Sequence, residues 1–460
     1  MISSLPESAD ELYRKGKALN FNLHLDRLGK SRFLFMDKKY QKLQWADSYR
    51  DCTQQMIPLS PYDGIGEILA KENPIGERRV ASKEGTLRLA HVTAQIVDGG
   101  HAPSRIVSHL LENHDQNQFV PSVWINEEGV HRPMEYPVSI FSSGRSDVRA
   151  PNRLREFSEW GVDVQIDDAK LDPLATARRL AEELRSHNVD IAVFHGWNHI
   201  HILAAHLCDV PLRVFFDHGG ISPFPVFDFY VLSTSDSQDL VGKAPSVVLP
   251  FPVSSHLTWE EELIPKKAFQ VPDDALLMTT ISNHLENRVS DEMIGAIAEI
   301  CKRCPKAYYV PMGWVEHPHR FLERFEQFGI KDRVYLAGVM AKPSHVARSM
   351  DLYLNEFPFG SGLGILDAMA SGMPVVSMYK EEGPTQGRYG GIYMGKDRAV
   401  TSCKVEDYID LAVQLLTDQK MYREWSEVAK ERYLKHADVK GYVRSFEEAI
   451  RGALTLICGN

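Results

Sequence analysis

The chain has 460 residues, which is enough for two domains of about 200 residues each and an extension. Its hydrophobic content of 43% and charged content of 25% are ordinary for a globular protein. The 52 Lys and Arg against 62 Asp and Glu give a net charge of −10, so no global field would attract nucleic acid.

Cysteine usage and the N-terminus indicate where the protein resides. Six cysteines are few for this length, which argues against a disulfide scaffold and favours a reducing cytoplasm. Cys301 and Cys304 have C-x-x-C spacing, but no partner pair accompanies them, so we interpret both as structural thiols. The N-terminus does not resemble a signal peptide, and no apolar run approaches the roughly 20 residues that span a bilayer. We therefore expect a soluble cytoplasmic protein and leave a peripheral membrane contact open.

The first part of the chain carries little functional information. Residues 1–85 place aromatic and basic residues at loosely helical spacing. This pattern predicts a mostly helical extension that packs on the body of the protein or on a partner.

A strand, a glycine turn and a helix begin near Leu87. The run LRLAHVTAQIVDGG is a buried strand that ends in Gly99 and Gly100, and an amphipathic helix and a second strand follow. A double glycine at the first βα turn would let a ligand approach the backbone closely. The alternative is a simple tight turn.

Histidines cluster after two later apolar strands. His195, His199, His201 and His206 are irregularly spaced and match no known zinc pattern, so we expect no metal site. His218 follows Asp217 at the carboxyl end of the next strand, where open α/β sheets place their ligands. We interpret His218 as a general base, with a hydrogen-bonded loop histidine as the alternative.

A segment rich in proline and charge, residues 250–268, separates two α/β halves. We predict an N-terminal Rossmann-like domain over 86–255 and a second over 256–440. A terminal helix over 441–460 would follow, with a return to the first domain left open. In the loop after the first strand of the second half, Asn283 is a candidate donor-binding residue. Arg288 in the same loop is a candidate catalytic residue that could reach a diphosphate, with an ordinary surface arginine as the alternative.

The most informative stretch runs over residues 351–378. An apolar strand leads through a glycine-rich turn into a helix, and a second buried strand follows. Amides at a helix N-terminus, together with the helix dipole, favour a phosphate or diphosphate. Asp367, one turn into that helix, is placed to accept hydrogen bonds from ribose hydroxyls. The candidate donor-binding residues of this turn are Phe359, Gly360, Ser361, Gly362, Leu363 and Gly364. The alternative is a βαβ unit whose glycines only allow tight packing.

These features resemble the GT-B glycosyltransferases. NEFPFGSGLGILD is similar to the donor segment of the bacterial adhesin N-glucosyltransferases, relatives of O-GlcNAc transferase in family 41, with departures at Ser361, Gly362 and Leu363. DAMASGMPVV resembles a run of the retaining family 4 enzymes, but Phe359 stands where that family has Glu. The resemblance therefore favours family 41. It also implies that the backbone near Met340 meets the base of the nucleotide.

The resemblance implies a GT-B fold, with two Rossmann-like domains facing a cleft. It further implies transfer of a hexose from a nucleoside diphosphate sugar, with UDP as the expected nucleotide, to a polypeptide, glycan or lipid acceptor. We expect no cofactor and no metal, because GT-B enzymes stabilise the leaving diphosphate with helix N-termini and a cation. The stereochemical outcome and the oligomeric state stay open. Two alternatives are a nucleotide-sugar epimerase and a catalytically silent module that serves as the partner of an active transferase.

Overall fold

The fold is described here from a computed structural model. It covers residues 66–67, 70–71, 78–81, 85–127, 146–167, 173–196, 199–218, 226–234, 241–251, 262–282, 285–315, 317–340, 342–357, 360–380 and 388–458. Nearly all of the extension predicted over 1–85, and a short strand predicted at 138–141, lie outside the described residues. Within the described ranges no helix is both long enough and apolar enough to cross a membrane.

The first half of the chain forms a parallel sheet of seven strands. They are β1 (Leu87–Thr93), β2 (Phe119–Ile125), β3 (Asp163–Ile166), β4 (Ile191–His195), β5 (Leu212–Phe216), β6 (Phe229–Leu232) and β7 (Ser246–Val248). Their order is β3-β2-β1-β4-β5-β6-β7, so the direction of winding reverses between β1 and β4. Every residue of β4 and β5 is buried, as their continuous apolar runs predict for central parallel strands. A reversal of this kind opens a crevice at the carboxyl ends of the strands.

Helices connect these strands. They are α1 (Ala102–Asn113), α2 (Ser146–Arg149), α3 (Pro151–Glu159), α4 (Pro173–Ser186) and α5 (His199–Leu207). Both α1 and α3 begin with a proline in the first turn, where the missing N–H costs no helical hydrogen bond. The helices predicted from hydrophobic periodicity at 152–160 and 172–188 agree with α3 and α4 within two residues.

The second half forms a parallel sheet of four strands. They are β8 (Leu276–Thr279), β9 (Ala307–Tyr309), β10 (Leu352–Leu354) and β11 (Val375–Val376), in the order β11-β10-β8-β9. The apolar run over 333–337 predicts a further strand from the sequence. That prediction is wrong for a regular strand, because the segment pairs with the β9 side only through isolated bridges at Val334 and Gly338. The facing segment contains Pro311, which has no N–H to donate to a ladder.

Nine helices of the described second half surround this sheet. They are α6 (Leu285–Arg288), α7 (Asp291–Arg303), α8 (Pro318–Gln327), α9 (Pro343–Ala347), α10 (Gly362–Ala370), α11 (Tyr389–Tyr393), α12 (Val405–Thr417), α13 (Gln419–Leu434) and α14 (Val439–Cys458). The last helix, α14, packs against α1 and β5 of the first half, and its Phe446 is fully buried there. The main hydrophobic core accordingly contains side chains from both sheets, such as Val214 and Leu277. The domain boundaries predicted from the sequence stay predictions.

Candidate functional site

The glycine turn between β10 and α10 is held by local hydrogen bonds. Ser361 caps α10, its Oγ accepting a hydrogen bond of 3.1 Å from the amide of Gly364. The amide of Ser361 donates to Asn355 Oδ1 at 3.1 Å. Within the described residues no hydrogen bond uses the amides of Gly362 and Leu363, which lie at the positive end of α10, where an anion is stabilised.

Packing also accounts for two glycines of this turn. A Cβ on Gly364 would lie 2.5 Å from the carbonyl oxygen of Ile281 and 2.5 Å from the Tyr353 hydroxyl. A Cβ on Gly360 would lie 2.1 Å from Nδ2 of Asn355. The packing alternative considered from the sequence therefore holds for these two positions, whether or not a ligand binds.

Asp367 faces the first half of the chain. Its carboxylate receives two hydrogen bonds from Arg105 of α1, at 2.7 Å from Nη1 and 3.0 Å from Nη2. The Asp367 side chain is 1% exposed and that of Arg105 is 13% exposed, so the pair is nearly dry. A ribose that binds Asp367 must share the carboxylate with this guanidinium or displace it.

Arg288 ends α6 beside the same turn. Its Nη1 donates to the carbonyl oxygen of Gly360 at 3.1 Å and lies 3.5 Å from Oε1 of Glu356. Burial raises the pKa of the Glu356 carboxyl, and the nearby Arg288 opposes that rise. The other two donor-site predictions in this region, Asn283 and Phe359, lie outside the described residues.

The double glycine of the first half meets the second half at a backbone contact. A Cβ on Gly100 would lie 3.5 Å from the carbonyl oxygen of Met340, and one on Gly99 would lie 3.8 Å from it. Arg153 supports the turn by donating to the Gly99 carbonyl at 2.6 Å. The structure therefore brings together three residues that the sequence analysis assigned to a donor site on opposite halves.

His218 lies at the carboxyl end of β5. Its Nε2 is 2.9 Å from Nδ1 of His195, and its ring stacks on Phe251 with 6.3 Å between centroids. Burial lowers the pKa of His218 to about 3, and the nearby His201 adds to the effect. Nδ1 of His218 is buried and pairs with no other atom of the described residues, which makes it an orphaned polar atom.

The other histidines considered as metal ligands have different surroundings. His195 pairs with two imidazoles, and Nδ1 of His201 lies 3.3 Å from the carbonyl oxygen of Gly196. In the described part of the chain, no three His, Cys, Asp or Glu side chains are grouped as metal ligands.

Tyr389 of α11 links the two sides of the site. A Cβ on Gly362 would lie 3.2 Å from its ring, so the ring covers the start of α10. Its hydroxyl lies close enough to Ser233 and Asp217 of the first half to interact with both electrostatically. Ser233 in turn donates to Oδ2 of Asp217 at 2.7 Å. Burial raises the pKa of the Tyr389 phenol, and the Asp217 carboxylate adds to the rise, so the hydroxyl stays protonated.

Solved structures of similar fold give the architecture a name. A mutant O-GlcNAc transferase from Thermobaculum terrenum aligns with 98% of this chain and 85% of its own length, at 16% identity and a TM-score of 0.61. HepE from Anabaena, solved with UDP and glucose, aligns with 80% of this chain and all of its own, at 12% identity and a TM-score of 0.59. A glycosyltransferase from Rickettsia africae has the same TM-score, at 13% identity over 82% of this chain. The chain has the GT-B fold.

The predicted GT-B fold is therefore confirmed. Sequence identities of this size show that the folds are alike and nothing finer. The resemblance to family 41 therefore stays a prediction. No protein-family model matches the sequence, and no curated protein matches it either.

Three residues of the GT-B cleft were missed by sequence reasoning. Arg105 lies in an ordinary amphipathic helix, 262 positions from its partner Asp367, and no local pattern announces the pair. Tyr389 lies in a short helix whose pattern gave no signal. Glu356 did give a sequence signal, because it stands inside the NEFPFG motif and a charged residue there is unusual for a buried turn.

Proposed function

We propose that this GT-B protein transfers a hexose from a UDP sugar to a protein, glycan or lipid acceptor, without a metal ion. The observation that carries the proposal is the position of Tyr389. It lies between the glycine turn of residues 360–364 and the sheet edge at which His218 follows β5. One side offers an anion-binding helix N-terminus with a cation, and the other offers an orphaned imidazole nitrogen. A diphosphate leaving group and an acceptor proton need these two kinds of group.

The donor would bind to the second half. The amides of Gly362 and Leu363 and the guanidinium of Arg288 would hold the diphosphate, where negative charge grows as the sugar leaves. Asp367 would accept hydrogen bonds from the ribose, and the backbone at Met340 would meet the base. Because Arg288 already donates to the Gly360 carbonyl, it is held beside the turn before the donor arrives.

The acceptor would bind between His218 and the donor. Nδ1 of His218 would take the acceptor proton as the acceptor attacks the anomeric carbon, which fits inversion of configuration. If the reaction retains configuration, His218 would contact the donor sugar instead. The neighbouring solved structures support the general class, since they include an O-GlcNAc transferase and a protein solved with UDP and glucose.

The test is a donor panel on the full chain. UDP-glucose, UDP-galactose and UDP-N-acetylglucosamine are incubated with the protein, and released UDP is measured with water as the acceptor. Calorimetry with UDP measures binding separately. We expect UDP to bind and at least one donor to release it, and we expect added EDTA to leave the rate unchanged. Absence of both binding and release would refute the proposal.

A catalytically silent GT-B module is the second candidate, and one observation favours it. The two charged groups of the donor site, Asp367 and Arg288, are both engaged inside the protein, with Arg105 and with Gly360. A silent module would bind no UDP even at millimolar concentration. An epimerase would bind UDP sugar and convert it to a different hexose, which chromatography of the sugar product separates from transfer or hydrolysis.

A further inference from the structure

A continuous hydrogen-bonded chain of four histidines begins at the half-buried His218 and continues through three buried rings. Nδ1 of His195 lies 2.9 Å from Nε2 of His218, and Nε2 of His195 lies 2.8 Å from Nδ1 of His91. Nε2 of His91 then lies 2.8 Å from Nε2 of His114. The chain ends on α14, where Nδ1 of His114 lies 2.9 Å from Oε1 of Glu447.

Glu447 determines which nitrogen of every ring carries the proton. Its Oε1 also accepts a hydrogen bond of 2.9 Å from the amide of Asp115, so the atom that faces His114 is an acceptor. Nδ1 of His114 must therefore donate, and its Nε2 must accept from His91. The same reasoning continues along the chain, and each neutral ring donates towards Glu447. The last ring, His218, is left with a proton on Nε2 and a lone pair on the orphaned Nδ1.

The surroundings of the four histidines disfavour a positively charged imidazolium. Phe216 packs against His195 and His218, with ring centroids 4.9 Å and 5.2 Å away. Phe446 of α14 packs against His91 at 6.2 Å. Burial lowers the pKa of His91, His195 and His218, so an imidazolium is costly at each of these three rings.

The far end of the histidine chain, at His114 and Glu447, reaches a surface pocket. His114 and Glu447 line a pocket of about 650 Å³ between α1 and α14, together with Lys440 and Arg444. The same pocket is lined by Arg451, Glu112 and Glu448 as well, so charged side chains of both signs surround its opening. The chain therefore connects an unpaired nitrogen at the candidate active site to an exit on another face of the protein.

We propose that the four histidines relay the acceptor proton from His218 to Glu447, an inference that rests on the proposed transferase function. As the acceptor bonds to the anomeric carbon, the bond from that carbon to the diphosphate oxygen breaks, and the electron pair leaves with UDP. Nδ1 of His218 takes the acceptor proton, and its Nε2 proton passes to His195. One proton then moves across each hydrogen bond in turn, until Oε1 of Glu447 holds one. Release of that proton to the pocket, with return of the rings to their starting tautomers, completes the cycle.

The order of the protons can be measured without turnover. Long-range ¹H–¹⁵N correlation spectra of the uniformly labelled full chain at neutral pH distinguish Nδ1–H from Nε2–H tautomers. We expect Nε2–H at His218, His195 and His91, and Nδ1–H at His114. A protonated Nδ1 at His218 would overturn the relay, whatever the enzyme assay shows.

The kinetic test uses Glu447→Gln, with Glu448→Gln as its matched control. The amide oxygen of a glutamine can still accept from Asp115 and His114, so the tautomers stay, but it cannot take the proton. With UDP-glucose and water as acceptor, we expect kcat of Glu447→Gln to fall at least about tenfold, with the Kd for UDP unchanged. Glu448 is exposed and lines the same pocket, and within the described residues it has no hydrogen bond or ion pair with the four histidines, so Glu448→Gln should keep the wild-type kcat.

A proton inventory separates a relay from a merely structural role. Rates measured in mixtures of H₂O and D₂O should curve with deuterium fraction for the wild type, because several protons move together, and should become linear for Glu447→Gln. If Glu447→Gln keeps the kcat and the curved proton inventory of the wild type, the relay is overturned while the proposed transferase function stands. If the wild type neither binds UDP nor releases it, the proposed function fails instead, and the tautomer spectra still decide whether the chain is ordered towards Glu447.

Discussion

Arg105 and Asp367 join the two halves of the protein through a double hydrogen bond, with Nη1–Oδ2 of 2.7 Å and Nη2–Oδ1 of 3.0 Å. The first residue belongs to α1, on the sheet that carries His218, and the second to α10, above the glycine turn. Asp367 is also the residue from which we expect the ribose contact. If the proposed function holds, the contact between the halves and the ribose would use the same carboxylate.

Replacing Arg105 should lower the stability of the protein and strengthen its binding of UDP. Arg105→Ala leaves Asp367 buried without its cation, which costs about 3–5 kcal/mol of unfolding free energy for a buried pair. The freed carboxylate is then open to ribose, so the Kd for UDP should fall. Thermal unfolding and calorimetry measure the two effects. Arg303→Ala, which removes an exposed cluster of ion pairs, should change both by little. Weaker UDP binding by Arg105→Ala would show that the guanidinium supports the nucleotide instead of competing with it.

Arg288→Ala should weaken the use of the donor. Its guanidinium is the cation beside the turn, so the KM for UDP sugar should rise and kcat should fall by about 10²-fold. The variant also leaves Glu356 buried without its cation. The double variant Arg288→Ala/Glu356→Gln removes that cost, so it should regain stability and stay inactive. Recovery of activity in the double variant would mean that Arg288 only neutralises Glu356.

Glu356 should make stability depend on pH. Burial raises its pKa in the folded state, so the folded chain keeps a proton that the unfolded chain releases above about pH 4.3. This contribution to stability is present below that pH and is lost as the pH rises through the raised folded value. Glu356→Gln should therefore gain unfolding free energy relative to the wild type as the pH rises, and the gain should then level off. Urea unfolding of both proteins across pH 4–8 measures it, and a difference independent of pH would contradict the burial effect.

Two glycines of one turn should differ in their tolerance of a methyl group. Gly364→Ala places a Cβ 2.5 Å from a fixed carbonyl oxygen, whereas Gly362→Ala meets only the Tyr389 ring at 3.2 Å. We expect Gly364→Ala to cost about 1–3 kcal/mol of unfolding free energy, as overpacking does, and Gly362→Ala to cost less. Thermal unfolding compares them, and equal costs would argue against the backbone contact at Ile281.

Local patterns in the sequence predicted most of the fold. Continuous apolar runs such as 191–194 and 212–216 identified the buried parallel strands, and glycine turns marked their carboxyl ends. The strand prediction at 333–337 is wrong for a local reason. An apolar run does not reveal that the segment it would pair with contains Pro311.

The site was harder to predict because its contacts are distant in sequence. Arg105 reaches Asp367 across 262 positions, and His114 reaches Glu447 across 333. His91 and Glu447 look unremarkable in their own segments, and only the folded chain aligns their hydrogen bonds. His218 could be proposed from the sequence because strand ends collect functional residues in α/β sheets, a rule that needs no knowledge of the partner residue.

The most direct test of the central claim measures UDP release and UDP binding together, for the wild type and for His218→Ala. We predict that the wild type releases UDP from at least one UDP sugar. His218→Ala should bind UDP with the same Kd and lose turnover by about 10²-fold or more. Wild-type turnover in His218→Ala would contradict the assigned base, and a wild-type protein that neither binds nor releases UDP would contradict the proposed transferase as a whole.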